Sequence, residues 1–187
     1  ALIDQSFFLM LTNIIQSQLA NGEEQVARML AALQQELVTQ TKVGQDLQAQ
    51  ALEAQAAVQS LQEASKDGGL TREKLLELII HAPSDIRLST LVSYTRSGID
   101  YQFFQMLTDR IEAASGDEKQ RLTDVRSKIS EMLKQIDEQL QMEMARAGKL
   151  LQTLLSAQDI EAATREHLPE LDDFFLEILK QEIQKAR

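Results

Sequence analysis

The sequence predicts an all-α protein, built of repeated helical hairpins with two long coiled-coil-like helices and extended rather than compact. Three observations carry that prediction. Of 187 residues only 7 are Gly and 2 are Pro, while Ala, Leu, Glu, Gln, Lys, Arg and Met dominate, a composition that favours long helices. A motif of thirteen residues recurs along the chain. Apolar residues fall at helical spacing, and alternating β-branched runs are absent.

The repeat is the sharpest of the three. Residues 3–15 read IDQSFFLMLTNII and residues 99–111 read IDYQFFQMLTDRI, identical at eight of thirteen positions without a gap. Ordinary residue frequencies would give about one identity. A weaker third copy, LDDFFLEILKQEI at 171–183, keeps Asp172, Phe175, Leu179 and Ile183 in register with Asp100, Phe103, Leu107 and Ile111. In the first copy the same stripe is Phe7, Leu11 and Ile15. Residues four apart lie on one face of a helix, so these nine side chains form the predicted repeat core. Each copy opens with an Asp whose carboxylate can accept from free N–H groups of the first turn, and the preceding Ile or Leu sits where a hydrophobic staple requires it. Asp4, Asp100 and Asp172 are therefore assigned to helix N-caps.

Upstream of the motif, KLLELIIHA at 74–82 matches KLLQTLLSA at 149–157. The corresponding stretch before residue 1 is missing, and the chain opens without Met. This suggests a piece of a longer protein with its first repeat truncated. The expected organisation is 1–69 as that truncated repeat, 70–157 as a complete one and 158–187 as a partial third, all within one continuous helical domain.

In order, helices are predicted at 4–20, 23–65, 71–82, 84–96, 100–114, 117–157, 159–167 and 170–186. Breaks fall at Asn21-Gly22, Asp67-Gly68-Gly69, Ala82-Pro83, Ser97-Gly98, Ser115-Gly116 and Leu168-Pro169, dipeptides that end helices. The 23–65 stretch carries Val26, Leu30, Leu33, Leu37, Gln40, Gly44, Leu47, Ala51, Ala54, Val58 and Leu61 in alternating steps of four and three, a coiled-coil seam of about five heptads. Its middle is weak: Gln40 and Gly44 occupy seam positions, and Ala51 and Ala54 are small. Residues 117–157 carry a similar row at Leu122, Val125, Ile129, Met132 and Ile136.

No catalytic constellation accompanies these helices. Without cysteine there is no disulfide, thiol nucleophile or thiolate metal site, and the expected location is cytoplasmic. The two histidines, His81 and His167, lie at helix ends, with no Glu three residues before either. Gly68-Gly69 lacks the Lys and hydroxyl of a phosphate loop. Glu170, Asp172 and Asp173 are acidic at a helix start, where they complement the dipole. A formal charge of −10 disfavours nucleic acid, and no apolar run is long enough for a membrane span. Phe7-Phe8-Leu9-Met10-Leu11 lacks the basic flanks of a membrane-surface helix.

The expected function is thus a non-catalytic module for protein–protein interaction or scaffolding, with no cofactor or metal, binding a protein partner or pairing as a homodimer. The tetratricopeptide period of 34 residues is not the period here. The alternative is a bundle holding an apolar small molecule or lipid near Phe8, Phe104 and Phe174. A carboxylate-based enzyme ranks behind both.

Overall fold

The computed structural model describes residues 3–66 and 68–185. Among these it is helical throughout, with no strand. The order is α1 (Gln5–Ala20), α2 (Glu24–Gln40), α3 (Lys42–Ser65), α4 (Arg72–Ile80), α5 (Asp85–Tyr94), α6 (Tyr101–Ala113), α7 (Gly116–Ser156), α8 (Ile160–Glu166) and α9 (Asp173–Lys185). Single 3-10 turns, Arg96–Gly98 and Leu168–Glu170, precede α6 and α9.

Side-chain caps set the helix starts. The Oδ1 atoms of Asp4, Asp100 and Asp172 accept from the N–H of Phe7, Phe103 and Phe175 at 2.9, 3.0 and 2.8 Å. Each thereby satisfies a donor that the first helical turn leaves free. Thr71, Ser84 and Asp159 cap α4, α5 and α8 in the same way. Gly22, in the turn after α1, has φ +80°, a left-handed conformation that favours glycine.

The predicted helix over 23–65 is two helices, not one. Thr41 adopts an extended conformation (φ −112°, ψ 146°) and serves both sides of the break. Its hydroxyl donates to the Leu37 carbonyl at 2.7 Å and accepts from the Gly44 N–H at 3.0 Å, so one side chain ends α2 and caps α3. Gly44 is buried against the end of α2: a Cβ there would lie 2.4 Å from Val38 Cα. The seam therefore breaks at its weak centre.

The described residues fall into two compact units, divided within α7 between Thr123 and Asp124. In the first unit α1 and α2 form a hairpin that buries Phe8, Leu11 and Ala27, and Gln34 Nε2 donates to Thr12 Oγ1 across it at 2.8 Å. α3 packs on α5, and α4 on α5 and α6. Their core holds Leu76, Ile79, Leu91, Val92, Phe103 and Leu107, each contributing about 1.5–3 kcal/mol by leaving water. In the second unit Ala147, Leu150 and Leu154 of α7 pack with Phe175 of α9, and Ala163, Leu171, Phe174, Ile178 and Leu179 surround them.

The repeated stripe is buried unevenly. Phe103, Leu107, Ile111, Leu11 and Phe175 are buried. Phe7, Ile15 and Leu179 are half-buried. Ile183 is 48% exposed and so lies outside the core assigned to it. In α1 the buried face is turned by one residue, to Phe8 and Leu11, because the hairpin with α2 covers that side.

Candidate functional site

Of the three aspartates that cap the repeated motif, Asp100 and Asp172 take a second partner. Arg72, at the start of α4, places Nε 3.1 Å from both Asp100 oxygens, with a further short contact from its terminal nitrogen. Arg72 first, and the Phe103 N–H after it, hold the Asp100 carboxyl down at about 2, while the same pairing raises Arg72. Arg146 of α7 reaches Asp172 in the same fashion, and Asp172 is lowered by the Phe175 N–H and then by Arg146. These clasps join the capped helix to the helix carrying the KLL motif. Sequence comparison passes over them because Arg72 lies two residues before Lys74 and Arg146 three before Lys149, so an ungapped alignment puts them out of register. Both pairs are solvent-exposed, and water screens their contribution.

A cleft of about 640 Å³ opens between α3, α4 and α5, with Ala64, Leu78, Ala82, Pro83 and Leu91 among its apolar lining. Lys74, Glu77 and Arg87, three of its charged groups, are committed to the fold. Lys74 Nζ donates to the Ala64 and Gly69 carbonyls at 2.8 and 3.3 Å, tying down the end of α3. Glu77 pairs with Arg110 of α6. Arg87 Nε lies 3.2 Å from Glu53 Oε2 but off hydrogen-bonding alignment, so that contact is Coulombic rather than directional. Glu53 also accepts from Ser84 Oγ at 2.9 Å. None of Phe8, Phe104 or Phe174, the side chains expected to contact an apolar ligand, lines this cleft. The Phe7–Phe8 and Phe103–Phe104 rings instead meet edge to face, with centroids 5.8 and 5.9 Å apart.

The other chemistry-bearing residues are similarly occupied. His81 Nδ1 sits 3.0 Å from the Glu77 carbonyl oxygen at the end of α4. His167 Nδ1 lies 2.7 Å from Glu170 Oε1. Among the described residues no three His, Asp or Glu side chains converge as a metal site would require.

Exposed apolar rows remain. Of the predicted seam, Leu61 is buried, Leu30, Leu37, Leu47 and Val58 are half-buried, and Val26 and Leu33 are exposed. Met29, between those two on α2, is 67% exposed. Leu9, Met10 and Leu19 of α1 are also exposed, as are Leu155, Leu176 and Ile183 in the second unit. Among the described residues no helix is long and apolar enough to cross a membrane. Comparison with protein-family models, with curated proteins and with solved structures gives no match.

Proposed function

We propose that this chain is a non-catalytic helical-repeat module that associates with protein partners, a second copy of itself included, through apolar helix faces. The single observation that carries the reading is the row Val26, Met29 and Leu33 on α2, spaced by three and four residues and exposed. That is the spacing with which one helix seats against another in a coiled coil. Rows of large aliphatic side chains in water are costly to leave uncovered, and contiguous exposed patches mark interaction sites. The polar residues best suited to chemistry cap helices, clasp them together or pair with their neighbours, which supports a structural use for them. A cytoplasmic setting, where a chain without cysteine loses nothing, fits this reading.

In-cell photo-crosslinking tests it. A photoreactive residue at Met29 or Leu33 should give discrete protein adducts, while the same group at exposed Gln35 should not. Equal labelling at all three positions would defeat the proposal.

A further inference from the structure

The chain holds two asparagines, Asn13 and Asn21, and both are exposed. Asparagine is chemically labile. It is lost when the peptide nitrogen of the next residue gives up its proton to hydroxide and attacks Cγ. A succinimide ring closes as the side-chain nitrogen leaves as ammonia. Water then opens the ring at either carbonyl. Opening at Cγ gives aspartate, and opening at the main-chain carbonyl gives isoaspartate, in which Cβ has become part of the backbone. The reaction needs no oxidant and no cofactor. It is slow at Asn13, which lies inside α1 and precedes the β-branched Ile14. Asn21 precedes Gly22 in the turn between α1 and α2. Glycine brings no side chain to shield its nitrogen, and an added Cβ there would meet nothing within 4 Å.

The closed turn nevertheless blocks ring closure. Asn21 has φ −81° and ψ −1°, so the Gly22 nitrogen eclipses the Asn21 nitrogen, whereas the succinimide requires it to eclipse Cβ. The same nitrogen donates to the Leu19 carbonyl at 3.1 Å, flanked by Asn21 N to Ser17 O at 3.0 Å and Glu23 N to Gln18 O at 2.9 Å. These bonds satisfy carbonyls that the end of α1 leaves free. Attack therefore requires the turn to open, and local opening costs less than global unfolding. Once formed, the product opposes reclosure. The extra methylene of isoaspartate shifts the Gly22 and Glu23 donors away from Leu19 and Gln18. The new carboxylate stands at the negative end of α1, whose last turn has no basic residue, and beside Glu23 and Glu24. Both placements are unfavourable for an anion.

We propose that Asn21-Gly22 is a one-way modification site: it is protected while the α1–α2 hairpin is closed, converts to isoaspartate when the turn opens, and then keeps the turn open. The conversion loosens the hairpin that buries Phe8, Leu11 and Ala27. The inference goes beyond the interaction reading and does not depend on it.

The test incubates the full chain in mildly alkaline buffer and follows the exchange of NH2 for OH by mass spectrometry. Trypsin releases residues 1–28 together, so Asn13 serves as a control within the same peptide. A free peptide of residues 17–26 gives the rate of the open turn. The folded chain should convert at Asn21 at least tenfold more slowly than that peptide, with isoaspartate the main product and Asn13 intact. Phe8→Ala removes a buried contact of the hairpin, and Gln34→Ala removes only its bond to Thr12. Each should raise the Asn21 rate severalfold without altering the rate in the peptide. Converted protein should have a lower thermal midpoint and faster proteolysis between α1 and α2, whereas an Asn21→Gln chain incubated alongside should keep both unchanged. A folded chain that converts as fast as the peptide, or a rate indifferent to both hairpin variants, would show that closure gives no protection and overturn the proposal. Conversion that leaves the midpoint and proteolysis unchanged would overturn it equally.

Discussion

Arg72 and Asp100, 28 residues apart in the chain, form a clasp in which the carboxylate serves two helices at once. It caps α6 through the Phe103 N–H and holds the start of α4 through the guanidinium. The folded Asp100 carboxyl titrates at about 2 against an ordinary 3.8. A carboxylate depressed on folding contributes stability that is present above its ordinary value and is lost as pH falls through the folded one. Stability should therefore decline between about pH 4 and about pH 2 as Asp100 takes up its proton. Asp100→Asn keeps a capping oxygen but not the charge. In urea titrations it should be less stable than the parent at pH 6 and converge with it toward pH 2.

The repeat copies give an internal control for core truncation. Phe103 is wholly buried and Phe7 only half-buried. Phe103→Ala should cost about 3–5 kcal/mol, the usual range for a fully buried Phe. Phe7→Ala should cost clearly less, measured by denaturant unfolding of the same full chain.

Gly44 and Gly148 should respond to alanine with opposite signs. A Cβ at Gly44 would lie 2.4 Å from Val38 Cα and 2.8 Å from the Leu37 carbonyl oxygen, both backbone atoms. Gly44→Ala must therefore move one helix end, lowering the unfolding midpoint. Gly148 lies inside α7, and a Cβ added there would meet nothing within 4 Å. At that position alanine restores helix propensity and should stabilise by about 0.5–1 kcal/mol.

Ile80 and Leu155 hold matching positions in the KLL motif but differ in burial, at 4% and 71% exposed. Ile80→Ala should cost about 2–5 kcal/mol. Leu155→Ala should stay within about 0.5 kcal/mol of the parent, as surface substitutions do.

What the sequence determined by itself was local. Each capping bond runs from an aspartate to the N–H three residues on, so Asp4, Asp100 and Asp172 were legible wherever the motif was. Helical character followed from composition and spacing for the same reason. The break at Thr41 was half legible: Gln40 and Gly44 marked the seam as weak, but the approach of α3 to Val38 that requires a glycine is a tertiary contact. The clasps by Arg72 and Arg146 needed the fold, since their spacing to the motif differs between copies. Burial needed it most. Ile111 and Ile183 occupy one motif position, yet one is buried and the other is not. Periodicity places a side chain on a helix face; whether that face leaves water depends on which other helix packs over it.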